Sequence, residues 1–117
     1  MAEFSLQTRE EERVVVFIPK GYLEDLAGMQ IAQECRNVLT KGFGILVFDF
    51  TGSPVITSTG LAHLLDLFAE CVEDRDMSIG VCGLSPLVRS AFRAIGLLGL
   101  VTECAPVSEA IQSLTEA

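Results

Sequence analysis

Hydrophobic and polar positions along this chain change period several times, and each change marks an element. From Phe4 to Thr8, Phe4 and Leu6 alternate with Ser5 and Gln7, the period of a short half-buried strand. Arg9 to Arg13 reads as a charged turn. Val14, Val15, Val16, Phe17 and Ile18 form a β-branched strand core closed by Pro19 and Gly21, close enough to the first strand to pair as a hairpin. Leu26 to Thr40 switches to helical spacing, with Ala27, Ile31, Cys35 and Val38 on one face. Glu24 and Asp25 lie at its start, where acids suit the positive end of the helix dipole. Gly42 follows its end as a stop.

Ile45 to Phe50 is a nearly continuous apolar run, the pattern of an interior strand covered on both faces. A short loop, Thr51 to Ile56, leads into Thr57-Ser58-Thr59-Gly60. Leu61, Leu64, Leu65, Phe68 and Val72 then mark one helix face, and Asp66, Glu70, Glu73 and Asp74 fall mostly on the other. Ser78 to Cys82 is a further short strand. Ser85 caps and Pro86 opens a helix whose apolar positions are Leu87, Val88, Ala91, Phe92 and Ile95. Leu98 to Val101 reads as a last edge strand, and Val107, Ala110, Ile111 and Leu114 as a closing helix. The sum is a single α/β domain over residues 1–117, with a mixed sheet of about four or five strands and about four helices.

Composition narrows what such a domain does. There are 16 acids against 8 bases, a formal charge of -8, so duplex nucleic acid and anionic membrane surfaces are poor partners. No run approaches the roughly 18 apolar residues of a membrane helix, and the start shows no secretory pattern. Cys35, Cys71, Cys82 and Cys104 are irregularly spaced and His63 is the only histidine, which disfavours a zinc site. These thiols read as small core residues of a cytoplasmic protein.

Catalytic readings of the hydroxyl loop meet specific gaps. A nucleophile elbow requires a glycine two residues before its serine; Ile56 stands there. The only candidate base, His63, falls toward the exposed side of the following helix, away from Ser58. A phosphate-binding loop requires a lysine that is absent after Gly60, and the Gly80 and Gly83 spacing fits no dinucleotide fingerprint. Asp49 and Glu24 are the acids expected near the loop, more suited to recognition than to acid–base chemistry. Ser58 therefore stands as a helix cap, a role that Thr57 could fill instead, a phosphoacceptor, or both. A phosphate of about -1.5 to -2 charge is tolerated at the positive end of a helix.

Read in order, the hairpin, Gly21-Tyr22-Leu23-Glu24, the strand ending in Asp49, Thr57-Ser58-Thr59-Gly60-Leu61, Ser85-Pro86-Leu87-Val88-Arg89 and Gly96-Leu97 resemble a STAS domain. The likeness is to the anti-sigma factor antagonist type and runs from about Phe4 to Leu114. In that family the serine at the Ser58 position is the usual phosphorylation site. The resemblance implies a serine kinase, doubling as anti-sigma factor, that binds and phosphorylates the domain, and a PP2C-type phosphatase that resets it. ATP and magnesium would belong to the kinase, so no cofactor is expected here. Glu24, Asp49, Thr57, Ser58, Thr59 and Gly60 form the expected partner-binding set, Ser58 being the expected acceptor and Thr57 and Thr59 its alternates. Gly60 is expected to admit a partner backbone. Thr57 stands where the family carries aspartate, and Tyr22 with Glu24 departs from its Gly-Glu-Leu-Asp segment. Other members of the family serve, without phosphorylation, as lipid-transporter subunits or stress-sensing scaffolds.

Overall fold

The computed structural model describes residues 4–11, 13–104, 111–112 and 114. Five strands form one sheet in sequence order: β1 (Ser5–Glu11), β2 (Val14–Lys20), β3 (Ile45–Asp49), β4 (Ser78–Cys82) and β5 (Thr102–Glu103). β1 pairs antiparallel with β2, and the remaining pairs are parallel. Three α-helices connect them: α1 (Asp25–Leu39), α2 (Ser58–Ala69) and α3 (Pro86–Ala94). The mixed α/β sheet is thus the expected one.

The central strands are apolar because both sheet faces are covered. Val15, Phe17, Leu46, Phe48, Ile79 and Val81 join the large cluster with the buried sides of the helices. Val14, Val16, Val47, Cys82 and Cys104 form a second cluster on which Ile111 and Leu114 pack. Alternate residues of each strand go to opposite clusters, as the pleat requires. Rings of Phe17 and Phe48 stack at 4.8 Å, and Phe68 lies 5.0 Å from Phe48, fixing α2 on the sheet. Ile111, Gln112 and Leu114 are helical as expected of the closing helix; its Val107 and Ala110 lie outside the described residues.

Four local expectations are corrected. Arg9, Glu10 and Glu11 belong to β1, pairing with Val16, Val15 and Val14, rather than to a turn. An edge strand exposed along most of its length can carry such charges, and they also discourage further strand pairing. Arg9 pairs with Glu11 at 3.0 Å and Lys41 with Glu10 at 3.2 Å. Leu97–Gly99 is a 3-10 turn, and the last strand is Thr102–Glu103, beyond the apolar run Leu98 to Val101. Leu87 and Ile95 are exposed; Val88 and Phe92 alone bury the core side of α3. On α2, Leu67 is fully buried while Leu61 and Leu65 are half-buried, because α1 covers the flank that Leu67 shares. Beyond α2 the chain continues as a π-helical turn, Glu70–Asp74.

Candidate functional site

The loop after β3 is built at each end by a short polar side chain. At its start Asp49 Oδ1 accepts from the Thr51 backbone N–H at 3.0 Å and from the Thr51 hydroxyl at 2.6 Å. Gly83, at φ 72°, lies against this turn, and a Cβ there would collide with Thr51 Oγ1. Ser85 holds the middle. Its hydroxyl donates to the Pro54 carbonyl at 2.8 Å and accepts from the Val88 N–H at 3.1 Å, capping α3 and tying it to the loop.

At the far end Thr57 is the N-cap of α2, extended at φ -92° and ψ 167°. Its Oγ1 accepts the Gly60 N–H at 3.2 Å, satisfying one of the helix's orphan donors. The same hydroxyl donates to the Leu23 carbonyl at 3.3 Å and lies 3.2 Å from the Thr59 hydroxyl. Ser58 follows the cap as first residue of the helix. It is exposed, and its hydroxyl has no partner among the described residues. The three hydroxyls are therefore inequivalent: one caps, one leans on the cap, one is free.

Leu23 organises the surroundings. Its N–H donates to the Val55 carbonyl at 2.9 Å, and its carbonyl accepts the Thr57 N–H at 3.1 Å. A single parallel bridge joins Leu23 to Ile56. Gly60 is buried against this connection: a Cβ would collide with the Leu23 carbonyl oxygen and approach that of Glu24. The close approach that Gly60 permits within the chain is thus to its own backbone. Glu24 comes with Leu23 to this end of α2. It occupies the N-cap position of α1 without a side-chain cap bond, and its carboxylate is exposed.

His63 points toward α1. Its Nε2 lies 2.8 Å from Asp25 Oδ1, and its Cβ and ring pack where Gly28 has no side chain. No hydrogen bond links it to Ser58 among the described residues, so no base–nucleophile pair forms. Further along, Glu70 receives Arg36 at 3.0 Å and Arg75 at 3.5 Å, and the Arg36 hydrogen bond holds its carboxyl below the ordinary carboxylate range. Beneath this pair, Cys35 and Cys71 are fully buried and free. Contact with the Cys71 thiol and burial push the Cys35 thiol strongly upward, which keeps it protonated. Among the described residues no group of His, Cys, Asp and Glu can hold a metal ion, and no helix is long and apolar enough to cross a membrane.

Glu24, Thr57, Ser58, Thr59 and Gly60 thus meet around the Leu23 backbone, while Asp49 works at the other end of the loop. Sequence reasoning assigned Leu23 no role, because its contribution is a main-chain carbonyl with no side-chain signature. The Asp25–His63 pair was missed for another reason: it depends on how α1 lies against α2.

Comparison with known proteins adds three findings. The family model of the STAS domain matches residues 5–114. No curated protein matches the sequence. Solved structures share the fold at low identity. An anti-sigma factor antagonist from Mycobacterium paratuberculosis has a TM-score of 0.83 at 17% identity, covering 97% of this chain and 95% of that one. The Bacillus cell fate determinant SpoIIAA in its phosphorylated form has 0.73 at 22%, covering 93% and 98%. A sulfate transporter family protein from Wolinella succinogenes has 0.68 at 19%, covering 92% and 91%.

Proposed function

This chain belongs to the STAS domain family, and from that premise we propose that it is a non-enzymatic partner switch of the anti-sigma factor antagonist type, set by phosphorylation of Ser58. The unmodified domain binds a cytoplasmic serine kinase that doubles as an anti-sigma factor. The kinase transfers the γ-phosphoryl group of ATP to Ser58 Oγ, the bond to the bridging oxygen breaking as ADP leaves and the hydroxyl proton passing to solvent or to a kinase base. The phosphorylated domain then releases the kinase, and a PP2C-type phosphatase hydrolyses the ester to restore the hydroxyl.

The observation that carries this reading is the inventory of hydroxyls at the start of α2. Thr57 Oγ1 is committed to the Gly60 N–H and the Leu23 carbonyl, so modifying it would remove the cap. Thr59 Oγ1 lies against Thr57 Oγ1. Ser58 is exposed and unpartnered among the described residues. Its place in the first turn puts a phosphate dianion where the helix dipole is positive, so modification leaves the fold intact and changes what docks. The existence of SpoIIAA in a phosphorylated form supports the same chemistry by likeness of fold.

A second reading has one observation in its favour, the shared fold of the Wolinella transporter-family protein. There the domain would serve as an accessory to a transporter, with Ser58 unmodified. Calorimetric titration of the serine kinase encoded nearest this gene separates the two. Ser58→Ala should bind like the wild type, and Ser58→Glu should bind about tenfold or more weakly through added charge at the contact. Equal affinity of all three proteins contradicts the switch.

A further inference from the structure

Exposed apolar side chains are unevenly spread. Among the described residues the large exposed ones are Tyr22 (48%), Leu26 (77%), Met29 (50%), Leu87 (55%) and Ile95 (39%). One such residue alone is ordinary on a protein surface. Three within eight residues, at the start of one helix, form a local concentration.

The packing of α1 explains why Leu26 and Met29 are left outside. Ala27, Ile31, Cys35 and Val38 are buried toward the sheet. Asp25 and Gly28 face α2 through His63, and Arg36 meets Glu70 further along, so the two helices lie side by side over this length. Leu26 and Met29 are three apart, hence on one side of α1, and follow directly after Asp25 and Gly28. They border the strip where α1 meets α2, on the outer surface of both helices. Neither serves the core.

Charge supplies the second constraint. Residues 21–35 and 42–74 contain no lysine or arginine. This surface exposes Glu24, Asp25 and Asp66 around its apolar side chains. Nucleic acid and anionic lipid are repelled by such a face. So is a second copy of the chain, which would set acid against acid. What fits is a protein contact of the common kind, an apolar centre with a charged rim, the rim being basic.

We infer that the docking face continues from the start of α2 onto α1 over Leu26 and Met29, and that it takes a protein surface whose apolar cleft is edged by lysine or arginine side chains. The inference rests on the partner-switch reading and describes the chemistry of the surface the kinase presents. Truncating two apolar anchors at the centre of a contact weakens binding by about tenfold or more. Neither residue supports the core, so truncation leaves the fold in place.

The test uses the full chain and the serine kinase encoded nearest its gene. Affinities are measured by calorimetry for the wild type, the double variant Leu26→Ser/Met29→Ser and the α3 control Ile95→Ser, at low and raised salt. Circular dichroism and melting confirm that the variants fold. The expected result is at least about tenfold weaker binding for the double variant, wild-type affinity for Ile95→Ser, and an affinity that falls with salt. Wild-type affinity in the double variant overturns the extension onto α1, even if the same kinase phosphorylates Ser58. Affinity insensitive to salt overturns the basic rim. Loss of binding in the double variant with no phosphate on wild-type Ser58 supports the face and overturns the switch. A kinase that does not bind the wild type overturns both.

Discussion

The Leu23 carbonyl oxygen accepts two hydrogen bonds from Thr57, one from its backbone N–H at 3.1 Å and one from its hydroxyl at 3.3 Å. Through that pair, the connection between β2 and α1 is fastened to the first turn of α2. Glu24 and Ser58, 34 positions apart in the sequence, are thereby carried on one backbone assembly. A partner that reads both meets a preformed surface, which lowers the ordering cost of binding.

Gly60 makes that closeness possible, so its substitution should cost stability despite a gain in helix propensity. Alanine gains about 1 kcal/mol over glycine within a helix. The collision of its Cβ with the Leu23 carbonyl involves backbone that cannot swing away, and overpacking of this kind costs about 1–3 kcal/mol. Urea unfolding should therefore show Gly60→Ala to be destabilised. Gly99→Ala, which meets nothing within 4 Å, should stay within about 0.5 kcal/mol of the wild type.

Thr57 works chiefly through its cap. Thr57→Ala leaves the Gly60 N–H without its side-chain acceptor and should cost about 1 kcal/mol. Thr57→Asp supplies a carboxylate acceptor at the positive end of α2 but cannot donate to the Leu23 carbonyl, so its stability should lie between those of Thr57→Ala and the wild type. Unfolding midpoints at unchanged slope check both. A neutral Thr57→Ala would show that the cap contributes nothing.

Glu70 adds a dependence on pH. Its folded pKa is depressed by the Arg36 hydrogen bond, so its contribution is present above the ordinary carboxylate range and is lost as pH falls through the folded value. The pair is partly exposed, which limits the contribution to about 1 kcal/mol or less. Glu70→Gln should show that deficit near neutral pH. The deficit should vanish in acid strong enough to protonate Glu70 in both states, as read from urea midpoints across pH.

Much of this architecture was legible because the chain changes period cleanly. β4 and the Ser85 cap with Pro86 were found where the sequence placed them, since a buried apolar strand and a Ser-Pro helix start are local signals. Arg9 to Glu11 misled because an edge strand needs few apolar residues, so its strand character depends on pairing with β2. Leu87 and Ile95 misled because apolar spacing does not report which side of α3 the sheet covers. Around Ser58 the grouping of Glu24 with Thr57, Ser58, Thr59 and Gly60 was legible; which hydroxyl caps α2, and the scaffold beneath, were not. Leu23 acts through its carbonyl, and Gly60 through the side chain it lacks.

Intact mass after incubation with ATP, magnesium and the serine kinase encoded nearest the gene tests the central claim most directly. The account predicts one added phosphate on the wild type and on Thr59→Ala, and none on Ser58→Ala, whose fold is expected to be unchanged because the exposed Ser58 hydroxyl has no partner among the described residues. An unmodified wild type in the presence of a kinase active on its own control substrate, or a phosphate that persists on Ser58→Ala, would contradict it.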